Sequence, residues 1–292
     1  MPELPEVETT VRYLKPKLTG LKIRDFWADR DKVVRQAGGV SAFRKEVKNK
    51  RITKVYRRAK FIVIDIEGDK SVFIHQKISG HLLYGKWELK DGAWVAAAKG
   101  PLRDDPRNKY IRAVFELSNR YQLALADLRR FGKILLVKDR DIATLKEVRD
   151  LGPEPLEMSP GQFKDLFKKK KGRVKQVLMD PFFIAGIGNI YSDEILWKAG
   201  LHPLARVENF SEKDLVRLFK SAKEVLEKAI KLRGSSTDDY RLPSGKKGDF
   251  QNTHQAYHQT GKKCGKKDGG IIKRIKIGGR SAHFCPKHQI LK

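Results

Sequence analysis

Apolar residues recur along this chain with two different periods, and the period changes once. Between Lys22 and about Val137 they come in short runs rich in β-branched side chains, at residues 52–56, 61–66, 72–75, 111–117, 121–126 and 134–137. Turn signals such as Glu67-Gly68-Asp69 and Ser118-Asn119 separate them. Many short strands with tight turns predict a sandwich or barrel, and the hairpin-like spacing argues against a parallel α/β sheet. Ahead of this region Val7, Val11, Leu14 and Leu18 fall on one helical face, and Pro5 suits a first helical position.

Past Leu151-Gly152-Pro153-Glu154-Pro155, a plausible linker, the pattern becomes helical over residues 163–171, 174–179, 191–199 and 212–232. Ser211 is a good N-cap for the last of these, with Leu215, Leu218, Phe219, Ala222, Val225 and Leu226 at helical spacing. Ala185-Gly186-Ile187-Gly188-Asn189-Ile190-Tyr191 lies between two helices as a tight turn whose amides could hold a phosphate. It follows no strand and lacks a third glycine, which excludes a dinucleotide site. Residues 234–247 are polar and glycine-bearing and read as a mobile loop or lid. The tail alternates as Ile271-Ile272-Lys273-Arg274-Ile275-Lys276-Ile277, then turns at Gly278-Gly279, with Cys264 and Cys285 on either side. The lysine run 168–171 reads as a solvated helix face. The expected class is therefore α+β: an N-terminal helix plus β-sandwich over 1–140, a linker over 141–157, a helical domain over 158–250 and a β-hairpin module over 251–292.

Charge narrows the partner. Lys and Arg number 63 against 35 Asp and Glu, a formal net charge of +28. Such a surplus implies a polyanion, because basic clusters displace counterions from phosphates. With 40% hydrophobic residues the chain can build a real core and is no disordered basic tail. Membrane-surface binding is the competing reading. However, the sequence has no transmembrane run, lipidation motif or signal peptide, and its start is acidic and proline-bearing. Two cysteines make no disulfide framework, so a reducing, cytoplasmic setting is expected.

The start, Met1-Pro2-Glu3-Leu4-Pro5, carries candidate chemistry. Proline is small enough for Met1 to be trimmed, which leaves a secondary amine as the terminus. Terminal amines titrate near ~8, below lysine at ~10.4, so more of the group is unprotonated at neutral pH and can condense with a sugar aldehyde. Glu3 beside it could shuttle protons. The plainer reading is a helix start, and both can hold together.

Separate segments then agree with one family. They are Met1-Pro2-Glu3-Leu4-Pro5-Glu6-Val7-Glu8, Arg57-Arg58-Ala59-Lys60, His75-Gln76-Lys77-Ile78-Ser79-Gly80, Asp127-Leu128-Arg129-Arg130-Phe131-Gly132, Leu151-Gly152-Pro153-Glu154-Pro155-Leu156, Gly186-Ile187-Gly188-Asn189-Ile190-Tyr191 and Gly279-Arg280-Ser281. In this order they resemble the formamidopyrimidine-DNA glycosylase / endonuclease VIII family of repair enzymes. Leu4 looks like the formamidopyrimidine branch. The resemblance implies a β-sandwich domain, a helix–two-turn–helix domain and a zinc-finger hairpin, with damaged double-stranded DNA in the cleft between them. It implies a monomeric cytoplasmic enzyme of the bacterial nucleoid that needs no redox cofactor. Pro2 would be the nucleophile, Glu3 a proton carrier, and Lys60 a phosphate contact assisting catalysis. Ile78, Arg129 and Phe131 match a triad that fills the void left by an extruded base, although methionine is more usual at the position of Ile78. His75, Lys175, Asn189 and Arg280 match DNA-contacting positions. Residues 235–240, with Ser236, Thr237 and Tyr240, match a segment that covers an everted 8-oxoguanine.

The finger departs from the family pattern of four cysteines. Here the resemblance places Cys264, Asp268, Cys285 and His288 as ligands, Asp268 standing for a cysteine after one inserted residue. Zinc accepts sulfur, nitrogen and oxygen donors in a tetrahedron. His283 in place of Asp268, a contribution from His254 or His258, or a metal-free hairpin are the alternatives. The function implied is a bifunctional glycosylase/AP lyase for oxidised purines. A same-fold enzyme for oxidised pyrimidines or abasic sites, and a non-catalytic damaged-DNA-binding protein, are the competing readings.

Overall fold

The helical stripe at the start of the chain becomes α1 (Leu4–Leu18), with Val7, Val11, Leu14 and Leu18 buried. This is a computed structural model, and it describes residues 1–35, 37–138, 141 and 145–291. Strands and helices follow in the order β1 (Ile23–Ala28), β2 (Val34–Arg35), α2 (Val40–Val47), β3 (Ile52–Arg58), β4 (Phe61–Ile66), β5 (Lys70–His75), β6 (His81–Gly85), β7 (Trp87–Lys90), β8 (Ala93–Ala96), α3 (Pro101–Asp104), β9 (Ile111–Leu117), β10 (Gln122–Ala126) and β11 (Lys133–Lys138). Next come α4 (Lys146–Arg149), α5 (Pro160–Lys168), α6 (Val174–Met179), α7 (Asn189–Ala199), α8 (Glu212–Lys231), β12 (Lys273–Ile277) and β13 (Arg280–Phe284). No described helix is long and apolar enough to cross a membrane.

The chain divides into two compact units. The first holds Met1–Arg149 and Leu232–Asp249. Its strands form two sheets, ordered β1-β9-β10-β6 and β2-β11-β5-β4-β3, with β7 and β8 as a separate ribbon. Apart from the parallel pair of β11 with β2, neighbours run antiparallel. Alternation sorts the side chains. Phe115, Leu117, Leu123 and Leu125 enter one core with Phe26, Ile62, Ile64, Ile74 and the stripe of α1, while Val114, Ala124 and Ala126 enter a second with Leu83 and Trp87. Helix α2 was not anticipated. It follows Gly38-Gly39 and rests on Phe43, fully buried with its ring 4.5 Å from Phe26 and 6.1 Å from Phe115.

The second unit holds Asp150–Lys231 and the chain from Phe250 onward. Phe163, Phe167, Phe183 and Phe219 form its aromatic centre, with ring separations of 4.4–5.2 Å. Lys170 lies beyond the end of α5 and pairs with Asp180 at 3.0 Å, so the lysine run is only partly a solvated helix face. Helix α7 buries Ser192, Asp193 and Glu194 as well as its apolar residues. Glu194 justifies its place by accepting the amides of Gln255, Ala256 and Tyr257 at 2.8–3.0 Å. Strands β12 and β13 form the expected hairpin, turned at Gly278 (φ 54°) and Gly279 (φ 79°). A Cβ at Gly278 would lie 2.6 Å from the Gln176 amide, so the tip packs closely on α6.

Two expected boundaries meet the structure in different ways. The segment 234–247, assigned from sequence to the helical domain, packs with the N-terminal unit. The junction expected at 140/141 falls beside residues 139–140 and 142–144, which lie outside the described set. Truncating the core ring beneath α2, Phe43→Ala, should cost about 3–5 kcal/mol of stability, read as a lowered guanidinium midpoint.

Candidate active site and metal centre

The N-terminus is anchored before any chemistry is considered. Met1 is 40% exposed, while Pro2 and Glu3 behind it are buried. Glu3 caps α1: its carboxylate accepts the Glu6 amide, and the Glu6 carboxylate accepts the Glu3 amide at 2.8 Å, a reciprocal box. The other Glu6 oxygen accepts the Ser235 amide at 2.7 Å. Gly234 (φ 76°) is needed there, since a Cβ would lie 2.8 Å from that oxygen. Sequence reasoning gave Glu6 no role, and only the acidic residue three places after Glu3 signalled it.

This contact ties the start of residues 234–247, read from sequence as a mobile loop or lid, to α1. Ser235, Ser236 and Tyr240 are buried. The Tyr240 hydroxyl donates to the Glu6 carbonyl at 3.2 Å, Ser236 Oγ accepts the Gly248 amide at 2.9 Å, and Ser235 and Thr237 hydroxyls meet at 2.8 Å. Burial pushes the Tyr240 phenol far up.

Lys60 sits in the two-residue turn between β3 and β4, behind Ala59 in the left-handed region (φ 51°). Arg57, two residues before that turn, binds Glu8 of α1 at 2.9 Å and the Ala59 carbonyl at 3.1 Å. His75 closes β5 opposite Phe61 and Lys133. Its Nδ1 accepts the Lys77 amide at 3.0 Å. Burial first, then the charges of Lys77, Lys60 and Lys133, pushes its imidazole well below the ordinary value, so it is neutral at pH 7. Ile78 (37% exposed) and Phe131 (49% exposed) project from neighbouring loops, and the Arg129 guanidinium lies 5.1 Å from the Phe131 ring.

In the helical unit the expected phosphate contacts separate into two kinds. Arg280 opens β13 and is exposed. Asn189 opens α7, and its side-chain oxygen is buried with no hydrogen-bond partner among the described residues. Lys175 is engaged within the unit. Its ammonium is buried, bonded to Asp193 at 2.6 Å and to the Ser192 hydroxyl at 3.1 Å. Asp193 in turn accepts the amide and the ring Nδ1–H of His283 at 3.0 and 2.8 Å. A buried cation keeps its charge only with such a partner.

The same unit brings Cys264, Asp268, Cys285 and His288 together, with one donor atom of each within 4.8 Å of the others. His283 is committed to Asp193 and is not among them. His254 packs against Phe250 and Tyr257, and His258 stacks on Tyr257. Cys285 Sγ lies 3.5 Å from Asp268, and Cys264 Sγ lies 3.7 Å from His288 Nδ1, near the ~3.3–3.8 Å between donors that tetrahedral bond lengths impose. The surrounding shell fits a cation. His288 Nε2–H donates to the Trp197 carbonyl at 3.1 Å, which leaves Nδ1 facing the cluster. Trp197 Nε1–H points at Cys264 Sγ at 3.4 Å. The Gly270 amide foremost, with His288, holds Asp268 down to about 2, while burial pushes the Cys285 thiol up. Asp268 and His288 Nδ1 are hydrogen-bonded at 2.6 Å, closer than two ligands of one tetrahedral ion stand, so a bound metal would take the place of the proton they share and move them apart. Gly270 is obligatory, since a Cβ would meet Cys285 Sγ at 2.3 Å.

Two domain models, both of a DNA glycosylase, match the chain: the formamidopyrimidine-DNA glycosylase N-terminal domain over residues 1–134 and the H2TH domain over residues 151–241. The formamidopyrimidine-DNA glycosylase of Pelotomaculum thermopropionicum is 35% identical over the full length of both chains, and that of Heliobacterium modesticaldum is 34% identical over 99% of this chain and all of its own. Among solved structures, Lactococcus lactis Fpg in complex with abasic-site DNA is 32% identical with a TM-score of 0.83, covering 99% of each chain. A mutant of it with Fapy-dG DNA is 33% identical with a TM-score of 0.84, covering 99% of this chain and all of the other. The chain belongs to the formamidopyrimidine-DNA glycosylase family.

Four imidazoles withdrawn from water shape how stability depends on pH. Burial depresses His75, His81 and His202, and takes His254 down to about 4. In the unfolded chain each takes a proton near ~6.5, so the unfolded state binds more protons between that value and the depressed one. Stability is therefore fully present above pH ~6.5 and is lost as pH falls. Guanidinium midpoints should be flat from pH 8 to 7 and fall between pH 6.5 and 5, and a His254→Phe variant should show a shallower fall.

Proposed function

We propose that this protein is a bifunctional DNA glycosylase and abasic-site lyase for oxidised purines, chiefly 8-oxoguanine opposite cytosine and formamidopyrimidines, acting as a monomer. Full-length family membership supports this, together with the relatives solved on abasic and Fapy-dG DNA. The observation that carries it is the start of the chain: Pro2 and Glu3 are present and held at a capped, buried helix terminus.

The chemistry runs through the amine that removal of Met1 uncovers. The Pro2 nitrogen donates its lone pair to C1′ of the damaged nucleotide. The bond from C1′ to the base breaks, the base leaves with that electron pair and takes a proton, and the sugar ring opens to a C1′ iminium. Glu3 handles protons at the sugar. The iminium acidifies the C2′ proton, whose loss expels the 3′ phosphate. A second elimination expels the 5′ phosphate and leaves a one-nucleotide gap, and water then hydrolyses the iminium, which releases the sugar fragment as an aldehyde and frees the Pro2 amine. No oxidant or reductant is consumed.

The remaining residues hold the DNA. Lys60 contacts phosphate near the lesion, beside a neutral His75. Ile78, Arg129 and Phe131 refill the stack after the base is extruded. Ser236, Thr237 and Tyr240 belong to the segment that covers the extruded base. Asn189, the turn amides before it and Arg280 grip the backbone, while Lys175 supports that turn from beneath through Asp193. Cys264, Asp268, Cys285 and His288 hold a structural zinc ion that fixes the hairpin carrying Arg280.

Borohydride reduction in the presence of an 8-oxoguanine duplex should give a covalent protein–DNA adduct. Pro2→Gly, or a preparation retaining Met1, should abolish it, and no adduct with the processed protein on any oxidised or abasic duplex would end the proposal. A lesion panel in the same assay separates purine from pyrimidine preference. Affinity should fall with salt, each phosphate contact contributing ~0.9 to the log–log slope. Elemental analysis should find one zinc per chain. Chelation should lower the melting temperature and weaken DNA binding in parallel with Asp268→Ala.

A further inference from the structure

Two connections cross between the sheets of the N-terminal unit side by side. β5 ends at His75 opposite Lys133, the first residue of β11, and β6 begins at His81 opposite Ala126, the last residue of β10. Residues 76–80 and 127–132 therefore leave and enter the same two sheets at paired positions. Both are tightly built. Lys77 (φ 56°) and Arg130 (φ 58°) adopt the left-handed region. A Cβ at Gly80 would lie 2.3 Å from the Gln76 carbonyl oxygen. Each loop nevertheless presents an apolar tip to solvent, Ile78 on one and Phe131 with its Arg129 partner on the other.

Beneath the tips lies one carboxylate. Asp127 is 1% exposed, and so is Ser79 of the other loop. The Ser79 hydroxyl donates to Asp127 Oδ1. The Arg129 amide is 2.9 Å from Ser79 Oγ and 3.2 Å from Asp127 Oδ1, and the Gly132 amide donates to Asp127 Oδ2 at 2.7 Å. Arg112 Nε bonds the Asp127 carbonyl at 3.0 Å and ties this point back to β9. Both carboxylate oxygens are thus used to join the two loops, immediately below the residues that project.

We infer that Asp127, acting through Ser79, is a positioning residue that makes Ile78 and the Arg129–Phe131 pair one rigid wedge, so that both loops enter the duplex together. This rests on the void-filling reading given under Proposed function. Asp127 touches neither sugar nor base. Its effect is confined to substrates with a base stack to refill.

The test compares two substrates: a duplex with 8-oxoguanine, and a single-stranded oligonucleotide with an abasic site, which has no stack. Asp127→Asn should slow duplex excision about ten- to a hundred-fold more than single-strand cleavage, the size expected when a contacting group is displaced by about an ångström. Ser79→Ala, which deletes one hydroxyl and carries the test should Asp127→Asn not fold, should do the same to a smaller degree. Its loss should also be non-additive with that of Ile78→Ala. Equal losses on both substrates, or additive ones, would overturn the tie while leaving the void-filling triad standing. An Ile78→Ala variant with unchanged duplex excision would overturn the triad, and the tie with it.

Discussion

Everything at the reactive end of this protein depends on one buried carboxylate. Glu6 is 1% exposed, yet both of its oxygens are engaged, one by the Glu3 amide and the other by the amide of Ser235. A carboxylate removed from water is tolerated only when its oxygens are satisfied, and here the donors are two backbone groups with no freedom to move away. The terminus of α1 is thereby fixed from two directions. The nucleophile proposed here would otherwise sit on the most mobile part of a chain, its first residues. The positive end of the helix dipole and the cap together hold two glutamates beside it.

The N-terminal unit positions the rest by sheet register. Pairing of Phe61 and Lys133 with His75 brings the Lys60 turn, the loop after β5 and the loop before β11 to one end of the sandwich. Three elements distant in sequence need no dedicated machinery to meet, because the ladders already place them. The neutral His75 follows from the same crowding, as it is buried among three lysines.

The parts legible in sequence were those whose cause is local. Strands β4 and β9 and helix α6 were placed to the residue, since β-branched runs and a helical period need no partner to be recognised. Helix α2 escaped because it offers only two buried apolar residues, Phe43 and Val47, after a pair of glycines. Strand β6 escaped because His81 and Gly85 bound a run of only three apolar residues. The Cys264, Asp268, Cys285 and His288 cluster was legible only through the family resemblance, which placed an aspartate where a cysteine is usual. Residues whose role depends on remote partners were not legible. Glu6 meets Ser235, 229 positions away, and Ser79 meets Asp127, 48 away. The partner of Lys175 was hidden for the same reason: Asp193 lies 18 positions away and meets it only in the fold.

That meeting has a further result. Asp193 accepts from Lys175 on one side and from His283 on the other, joining α6, α7 and β13 through a single side chain. Peeling the hairpin from α7 would strip the buried anion of both His283 donors, and removing α6 would take away its lysine. Neither piece can fray by itself without incurring the cost of an orphaned charge. The shared anion therefore couples α6, α7 and the hairpin, so that opening any one of them weakens the hold on the other two.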